Sequence, residues 1–166
     1  MSEAAILTEG LSKSFGTQAA VAELNLKIQT GAVYGFLGRN GAGKTTTMRM
    51  LLGLVRPTKG SARVLGLDPG KEAELLRILE RVAFVPQRKQ LYGWATPVEL
   101  VRMNKAYFSC WSDEAAARLA QRLEIPMKTE FKKLSIGNQS KVALLLALAQ
   151  EAEVLVLDEP TAGSRT

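Results

Sequence analysis

The chain has 166 residues, of which 46% are hydrophobic and 23% charged, a composition typical of a globular protein. Its net charge is +6, but the basic residues are scattered, so a solvated basic face is a simpler interpretation than a nucleic-acid or anionic-membrane surface. The longest unbroken apolar run, residues 142–149, is far below the roughly 20 residues of a membrane span. The single cysteine, Cys110, excludes an internal disulfide and fits a reducing cytosol.

The N-terminal part of the chain is predicted to form short β-strands separated by turns. Residues 4–8 are apolar and β-prone, and residues 24–28 alternate apolar and polar side chains as a half-buried strand does. Residues 61–65 follow a turn signal that contains proline and glycine, and they predict a further strand.

A glycine-rich segment then carries the strongest chemical signal in the chain. Residues 38–45 read G-x-x-x-x-G-K-T, preceded by a predicted buried strand at 32–37 and followed by a predicted helix at 46–52. In this pattern the glycines let backbone N–H groups turn towards a phosphate, which lies at the N-terminus of the helix. A glycine-rich turn that binds nothing is the alternative, and the strand–loop–helix context argues against it.

Each residue type in this P-loop has an expected task. Lys44 reaches the β- and γ-phosphates of a nucleoside triphosphate, and the Thr45 hydroxyl ligates Mg²⁺. The segment therefore predicts a nucleotide site that comprises Gly38, Arg39, Asn40, Gly41, Ala42, Gly43, Lys44, Thr45 and Thr46.

Helices and two buried strands are predicted for the rest of the chain. Residues 71–81 have the pattern of an amphipathic helix, and the apolar residues 82–85 predict a buried strand that ends at Pro86. Residues 138–150 predict a strongly apolar helix, and residues 153–157 predict a second fully buried strand.

Two further helices have clear start signals. Thr96, Pro97 and Glu99 form the pattern of a capping box with proline at the first helical position, which predicts a helix to about residue 108. Ser112 is the predicted N-cap of a helix over residues 113–123. Strands that alternate with helices indicate an α/β fold with a helical insertion at 88–133.

Two carboxylates follow the second buried strand directly. Asp158 and Glu159 are therefore expected at the carboxyl edge of an α/β sheet, where such sheets bind ligands. Asp158 is predicted to hold Mg²⁺ through water, and Glu159 to accept a proton from the water that attacks the γ-phosphate, or to orient it. An acidic strand end in a surface turn is the alternative, which the upstream P-loop disfavours.

These motifs, in this order, resemble the nucleotide-binding subunit of an ABC (ATP-binding cassette) transporter. Phe84-Val85-Pro86-Gln87 is similar to the Q-loop of that family, which implies that Gln87 contacts Mg²⁺ or the attacking water. Phe15 matches the aromatic residue that stacks on adenine in the family. The resemblance implies a P-loop NTPase sheet with an N-terminal antiparallel β-subdomain, formed as a single domain over residues 1–166.

Residues 134–138, Leu-Ser-Ile-Gly-Asn, occupy the place of the family signature L-S-G-G-Q. In the family this helix N-terminus points at the γ-phosphate held by the other subunit, so the resemblance implies that Ser135 and Gly137 contact nucleotide. Ile136 and Asn138 depart from the signature, and Ile136 adds a β-branched side chain where backbone approaches phosphate.

The resemblance also implies cofactors, partners and location. It implies an ATPase that uses ATP and Mg²⁺, pairs with a second ABC ATPase subunit, and drives a separate transmembrane permease subunit. Such a protein is cytoplasmic and peripheral on the inner face of the membrane, and no nucleic acid partner is expected. The section around Tyr92 and Trp94 is similar to bacterial exporter-type cassettes.

The family continues after the Asp158-Glu159 segment with a D-loop and a switch histidine, whereas this sequence ends at Thr166 and contains no histidine. The resemblance therefore predicts a cassette truncated before the switch histidine. Two alternatives to an energy-coupling subunit stay open at this point. One is a soluble ABC protein that acts on ribosomes or DNA, and the other is a nucleotide-binding remnant without ATPase activity.

Overall fold

A computed structural model of the chain describes residues 4–39, 41–87, 89 and 91–159. The chain forms two compact units, Met1–Leu79 and Glu80–Thr166. Each helix in the described ranges is too short or too polar to cross a bilayer. The α/β class with an N-terminal antiparallel sheet is confirmed. The single domain and the insertion at 88–133 stay predictions.

The first unit is built on a three-stranded antiparallel sheet. Strands β1 (Ala4–Phe15), β2 (Gln18–Gln29) and β3 (Lys59–Val64) pair in the order β2-β1-β3. The first two strands are longer than predicted because their hydrogen-bonded ladder continues, through several register shifts, to a hairpin in which Phe15 is opposite Gln18. Backbone pairing thus extends both strands beyond the short apolar segments from which they are predicted.

Two helices accompany the sheet in the described residues of this unit. Helix α1 (Lys44–Leu51) contacts β2 and β3, and helix α2 (Glu72–Leu79) follows the third strand. Both were predicted, with ends that shift by two residues or fewer. The unit buries apolar side chains from the sheet and from both helices, including Leu11, Met50, Val64 and Ile78.

The predicted buried strand at residues 32–37 is wrong for the described structure. These residues have no strand conformation, and the side chains of Val33 and Leu37 are 102% and 93% exposed. Apolar, β-prone residues form a strand only where a neighbour supplies ladder hydrogen bonds. In the described ranges the ladders join β1 with β2 and β3, and a second pair of strands with each other, and none includes 32–37.

The described part of the second unit contains a parallel strand pair, three α-helices and a short 3-10 helix at Phe131–Lys133. Strands β4 (Val82–Val85) and β5 (Val154–Leu157) pair in register, with Val82 opposite Val154. Helices α3 (Pro97–Tyr107), α4 (Asp113–Arg122) and α5 (Ile136–Leu148) lie between them in sequence. At the start of the pair, Arg81 Nη2 donates to Glu153 Oε2 at 2.9 Å, and this ion pair lowers the pKa of the Glu153 carboxyl.

The prediction that the second strand is fully buried is also wrong. In β5 Val156 is buried, but Leu155 is 38% exposed and the remaining two residues are half-buried. A parallel strand is buried only when both its faces are covered. In the described residues β5 pairs with β4 along one edge, and Leu157 packs against the apolar cluster of Ala83, Val85 and Ala147, so the faces of β5 are covered only in part.

The helices of the second unit pack around one apolar cluster. Phe131, Leu100 and Leu145 are each at least 97% buried, with further side chains of α4 and α5 around them. Helix α5 begins at Ile136, two residues before its predicted start. The reason is Ser135, whose hydroxyl accepts a hydrogen bond from the Asn138 N–H at 3.2 Å and so caps the helix earlier.

The predicted capping box of α3 is present. Thr96 N–H donates to Glu99 Oε2 at 2.7 Å, and Thr96 Oγ1 accepts from Glu99 N–H at 3.3 Å. The backbone hydrogen bond from Thr96, followed by the one from its hydroxyl, lowers the pKa of the Glu99 carboxyl. The charged form of Glu99 therefore stabilises the fold above the ordinary glutamate pKa of 4.5, and this contribution is lost as pH falls through the lowered value.

Replacing Thr96 by alanine is expected to lower the free energy of unfolding by about 1 kcal/mol, because the helix loses its N-cap. Urea denaturation followed by circular dichroism measures this change. Thr96→Ser is the matched control, because it keeps the hydroxyl and should stay close to wild type. Equal losses for alanine and serine would show that the methyl group, and not the cap, contributes the stability.

Candidate functional site

The P-loop lies in the first unit, and its described residues include two carbonyl groups that contact the ammonium group of Lys44. Lys44 Nζ donates to the carbonyl oxygens of Gly38 at 2.8 Å and Arg39 at 3.2 Å. The Ala42 N–H also donates to the Arg39 carbonyl at 3.0 Å, which closes the turn. Asn40 lies outside the described residues. The lysine charge is thus held in the loop that the sequence assigns to phosphate.

Gly43 shows why this loop needs glycine. Its φ is +82°, a left-handed conformation that a side chain disfavours, and a Cβ there would overlap the Ala20 carbonyl oxygen of β2. Gly43 is also the N-cap of α1, and its carbonyl accepts the first helical hydrogen bond, from Thr47 N–H at 2.8 Å. The absence of a side chain therefore lets the loop lie directly on the sheet.

The first turn of α1 presents the remaining P-loop side chains. Lys44, Thr45 and Thr46 are half-buried at the start of the helix, and Gly41 just before it has φ +85°. The positive end of a helix dipole and the N–H groups of a first helical turn favour an anion at this position. Together with the Lys44 ammonium, this arrangement fits a triphosphate, and the Thr45 hydroxyl suits the Mg²⁺ that accompanies it.

Phe15, the predicted adenine-stacking residue, ends β1 in the same unit. The residue is 56% exposed, and Lys13 Nζ lies over its ring at 5.0 Å from the centroid. The sequence did not indicate Lys13, although its spacing of two residues from Phe15 on a strand places both side chains on one face.

The second unit brings Gln87 and Glu159 together. Gln87 Nε2 donates to Glu159 Oε2 at 2.7 Å, although the two residues are 72 positions apart. Gln87 follows β4 and Glu159 follows β5, so the parallel pair places both at its carboxyl edge. Asp158 directly precedes Glu159 and is buried, with 2% exposure. Its N–H donates to the carbonyl of Val85 in β4 at 2.9 Å.

Glu159 has an unusual backbone. Its φ is +47°, a left-handed conformation that costs free energy for a residue with a Cβ. Such positions concentrate at functional sites, where the surrounding structure holds them. The turn directs successive side chains apart, so that Asp158 is buried while Glu159 reaches Gln87.

Ser135 and Gly137 lie at the N-terminus of α5. Ser135 is exposed, and its hydroxyl caps the helix. The nearest atom to a Cβ built on Gly137 is Ser135 Oγ at 3.9 Å, so the backbone there is open to approach. The Ile136 side chain is 58% exposed beside it.

The chain matches a family model described as ABC transporter over residues 21–162. It is 36% identical over 160 residues to the bacitracin transport ATP-binding protein BcrA of Bacillus licheniformis, covering 95% of this chain and 52% of that protein. It is also 36% identical to the Nod factor export ATP-binding protein I of Cupriavidus metallidurans, covering 91% of this chain and 51% of that protein. The chain therefore spans about half the length of these relatives.

The fold is similar to that of a solved cassette. A dimeric post-hydrolysis state of the ATP-binding cassette MJ0796, bound to ADP and Pi, superimposes with a TM-score of 0.82 over 97% of this chain and 76% of that one. The identity is 24%, so this likeness establishes the fold.

Proposed function

This chain belongs to the ABC transporter family, and on that premise we propose that it binds Mg-ATP and hydrolyses it as the energy-coupling subunit of a transporter. The observation that carries the proposal is the P-loop geometry, in which the Lys44 ammonium lies inside the loop at the N-terminus of α1. Two carbonyl oxygens hold the ammonium there, and an incoming phosphate would compete with them for its three N–H donors.

The proposed role of each residue follows from the chemistry of its side chain. Backbone N–H groups of residues 38–46 and Lys44 bind the β- and γ-phosphates, while Phe15 stacks on the adenine. The candidate Mg²⁺ ligands are Thr45 in the first unit and Gln87 and Asp158 in the second, each of which could bind the ion directly or through water. The ion when bound would neutralise charge that develops on the phosphates.

Glu159 is the proposed general base. Its carboxylate accepts the Gln87 amide hydrogen bond, and it would take the proton from the attacking water. Gln87 is exposed at the carboxyl edge of the strand pair, so the amide that donates to Glu159 could also contact that water. Water positioning and proton acceptance would thus come from one hydrogen-bonded pair.

The proposed partners follow from family membership. A second ABC ATPase subunit would place its own P-loop opposite Ser135 and Gly137, and the dimeric state of the MJ0796 cassette supports such a pair. A transmembrane permease would hold the subunit at the inner face of the membrane. The Nod factor export relative and the similarity around Tyr92 and Trp94 support an exporter-type cassette.

Titration of ATP against the chain at increasing Mg²⁺ concentration tests the metal assignment. Asp158→Asn is expected to weaken Mg²⁺-dependent ATP binding roughly ten- to a hundredfold, because the ion loses a negative charge from its surroundings. Isothermal titration calorimetry, with and without EDTA, measures it. Asp113→Asn, at the exposed first turn of α4, is the control. An equal loss in EDTA would assign Asp158 a structural role instead.

A further inference from the structure

Lys13 lies beside the proposed adenine site and belongs to none of the recognised motifs. Its ammonium lies over the Phe15 ring at 5.0 Å from the centroid, which is within the range of a cation–π interaction. Lys13 is half-buried, whereas Phe15 as a whole residue is 56% exposed. The cation therefore covers one side of the ring and leaves much of the ring open.

The ammonium is held in place from a second direction. Lys13 Nζ donates to the Arg56 carbonyl at 2.8 Å, in the segment that follows α1. Two more hydrogen bonds join this segment to the end of β1: Thr58 N–H donates to the Ser12 carbonyl at 2.8 Å, and Ser14 N–H donates to Thr58 Oγ1 at 3.1 Å. The end of β1 is thus fixed to the chain that leaves the P-loop helix.

Strand β2 of the first unit passes from the Phe15 ring to the P-loop. Phe15 is opposite Gln18 in the hairpin, and Gly16 between them has φ +57°. Two residues after Gln18, about 7 Å further along the strand, the Ala20 carbonyl lies against Gly43. The ring and the P-loop therefore lie at one end of the sheet. A single bound nucleotide could then place its base on the ring and its phosphates in the loop.

We propose that Lys13 is a positioning residue for nucleotide binding: it holds the Phe15 ring in orientation and polarises it, so that the open face stacks on the adenine base of ATP. This inference rests on the proposed role of Phe15. A ring fixed before binding loses less side-chain freedom when the base arrives. A cation on one face also draws electron density from the ring, which favours an electron-rich base on the other face.

The test compares two ligands that differ in the base. Mg-ATP and magnesium triphosphate share the phosphates, so their affinity ratio isolates the contribution of adenosine. Lys13→Met is expected to weaken Mg-ATP binding about threefold and leave magnesium triphosphate unchanged, because an exposed cation–π contact is modest. Phe15→Ala is expected to reduce the same ratio roughly ten- to a hundredfold, from the loss of base stacking. Calorimetric titration measures both.

The double variant distinguishes an effect of Lys13 through the Phe15 ring from an effect on nucleotide binding that does not need the ring. In a Phe15→Ala background, Lys13→Met should have no further effect on the ratio, because the lysine acts through the ring. Lys13→Arg should keep the wild-type ratio of Mg-ATP to magnesium triphosphate affinity, since a guanidinium also makes a cation–π contact. Lys27→Met, at an exposed lysine of β2, is the control and should match wild type.

Each contrary result has a distinct meaning. Equal weakening of both ligands by Lys13→Met, or a loss that persists without Phe15, would overturn the inference and leave the base-stacking role of Phe15 intact. An unchanged ratio in Phe15→Ala would overturn that role, and the inference with it. A wild-type chain that binds neither ligand would overturn the proposed nucleotide site.

Discussion

Lys44→Ala is expected to weaken Mg-ATP binding severely. Removing one partner of a close charge pair costs about 2–5 kcal/mol, which corresponds to a loss of affinity from roughly thirtyfold to several thousandfold. Lys44 also donates to the carbonyls of Gly38 and Arg39, so the alanine variant loses two contacts that hold the loop. The change therefore removes both the charge and the loop geometry that a triphosphate requires.

Calorimetric titration with Mg-ATP measures this loss, and Lys27→Ala is the matched control, since Lys27 is an exposed lysine of the same unit. Urea denaturation of both variants distinguishes lost binding from lost folding. A Lys44→Ala chain with a wild-type unfolding midpoint and wild-type ATP affinity would overturn the assignment of residues 38–45 as the phosphate loop.

Glu159→Gln is expected to stop ATP hydrolysis while Mg-ATP binding persists. A general base contributes roughly a hundred- to ten-thousandfold to a rate, and glutamine cannot accept the proton of the attacking water. The substitution keeps the size of the side chain and an oxygen that can accept the Gln87 hydrogen bond of 2.7 Å. Binding and hydrolysis should therefore separate in this variant. Phosphate release under saturating Mg-ATP measures the rate.

Glu151→Gln is a well-matched control for this substitution. Glu151 is exposed in the same unit, and its φ of +48° is close to the +47° of Glu159. Any cost of glutamine in a left-handed backbone therefore appears in both variants, whereas the loss of hydrolysis should appear in one. Lost ATP binding in Glu159→Gln would point to a structural role for this carboxylate. The measurement requires a preparation that hydrolyses ATP, alone or with its partners.

The capped helices and the glycine-lysine loop could be predicted from the sequence because each depends on residues within a few positions of one another. The Thr96–Glu99 capping box and the Ser112 cap are confirmed. The start of α5 was predicted two residues late, since Ser135 was assigned to nucleotide contact and its capping role was missed.

Tertiary structure decided what depends on segments distant in sequence. Residues 32–37 have the composition of a strand, but conformation depends on a pairing partner, and composition does not reveal one. The Gln87–Glu159 hydrogen bond depends on the register of β4 with β5, which places two strand ends side by side. The hydrogen bond from Lys13 to the Arg56 carbonyl likewise depends on a segment 43 positions away.

The sequence by itself thus determined the kinds of chemical group available: a glycine-lysine loop, two carboxylates after a strand, a glutamine and an aromatic ring. It also determined the helix caps, because their hydrogen bonds span only three or four residues. Only the tertiary structure decided which groups meet, because hydrogen-bond and cation–π contacts act over a few ångströms, and folding alone brings distant residues within that range.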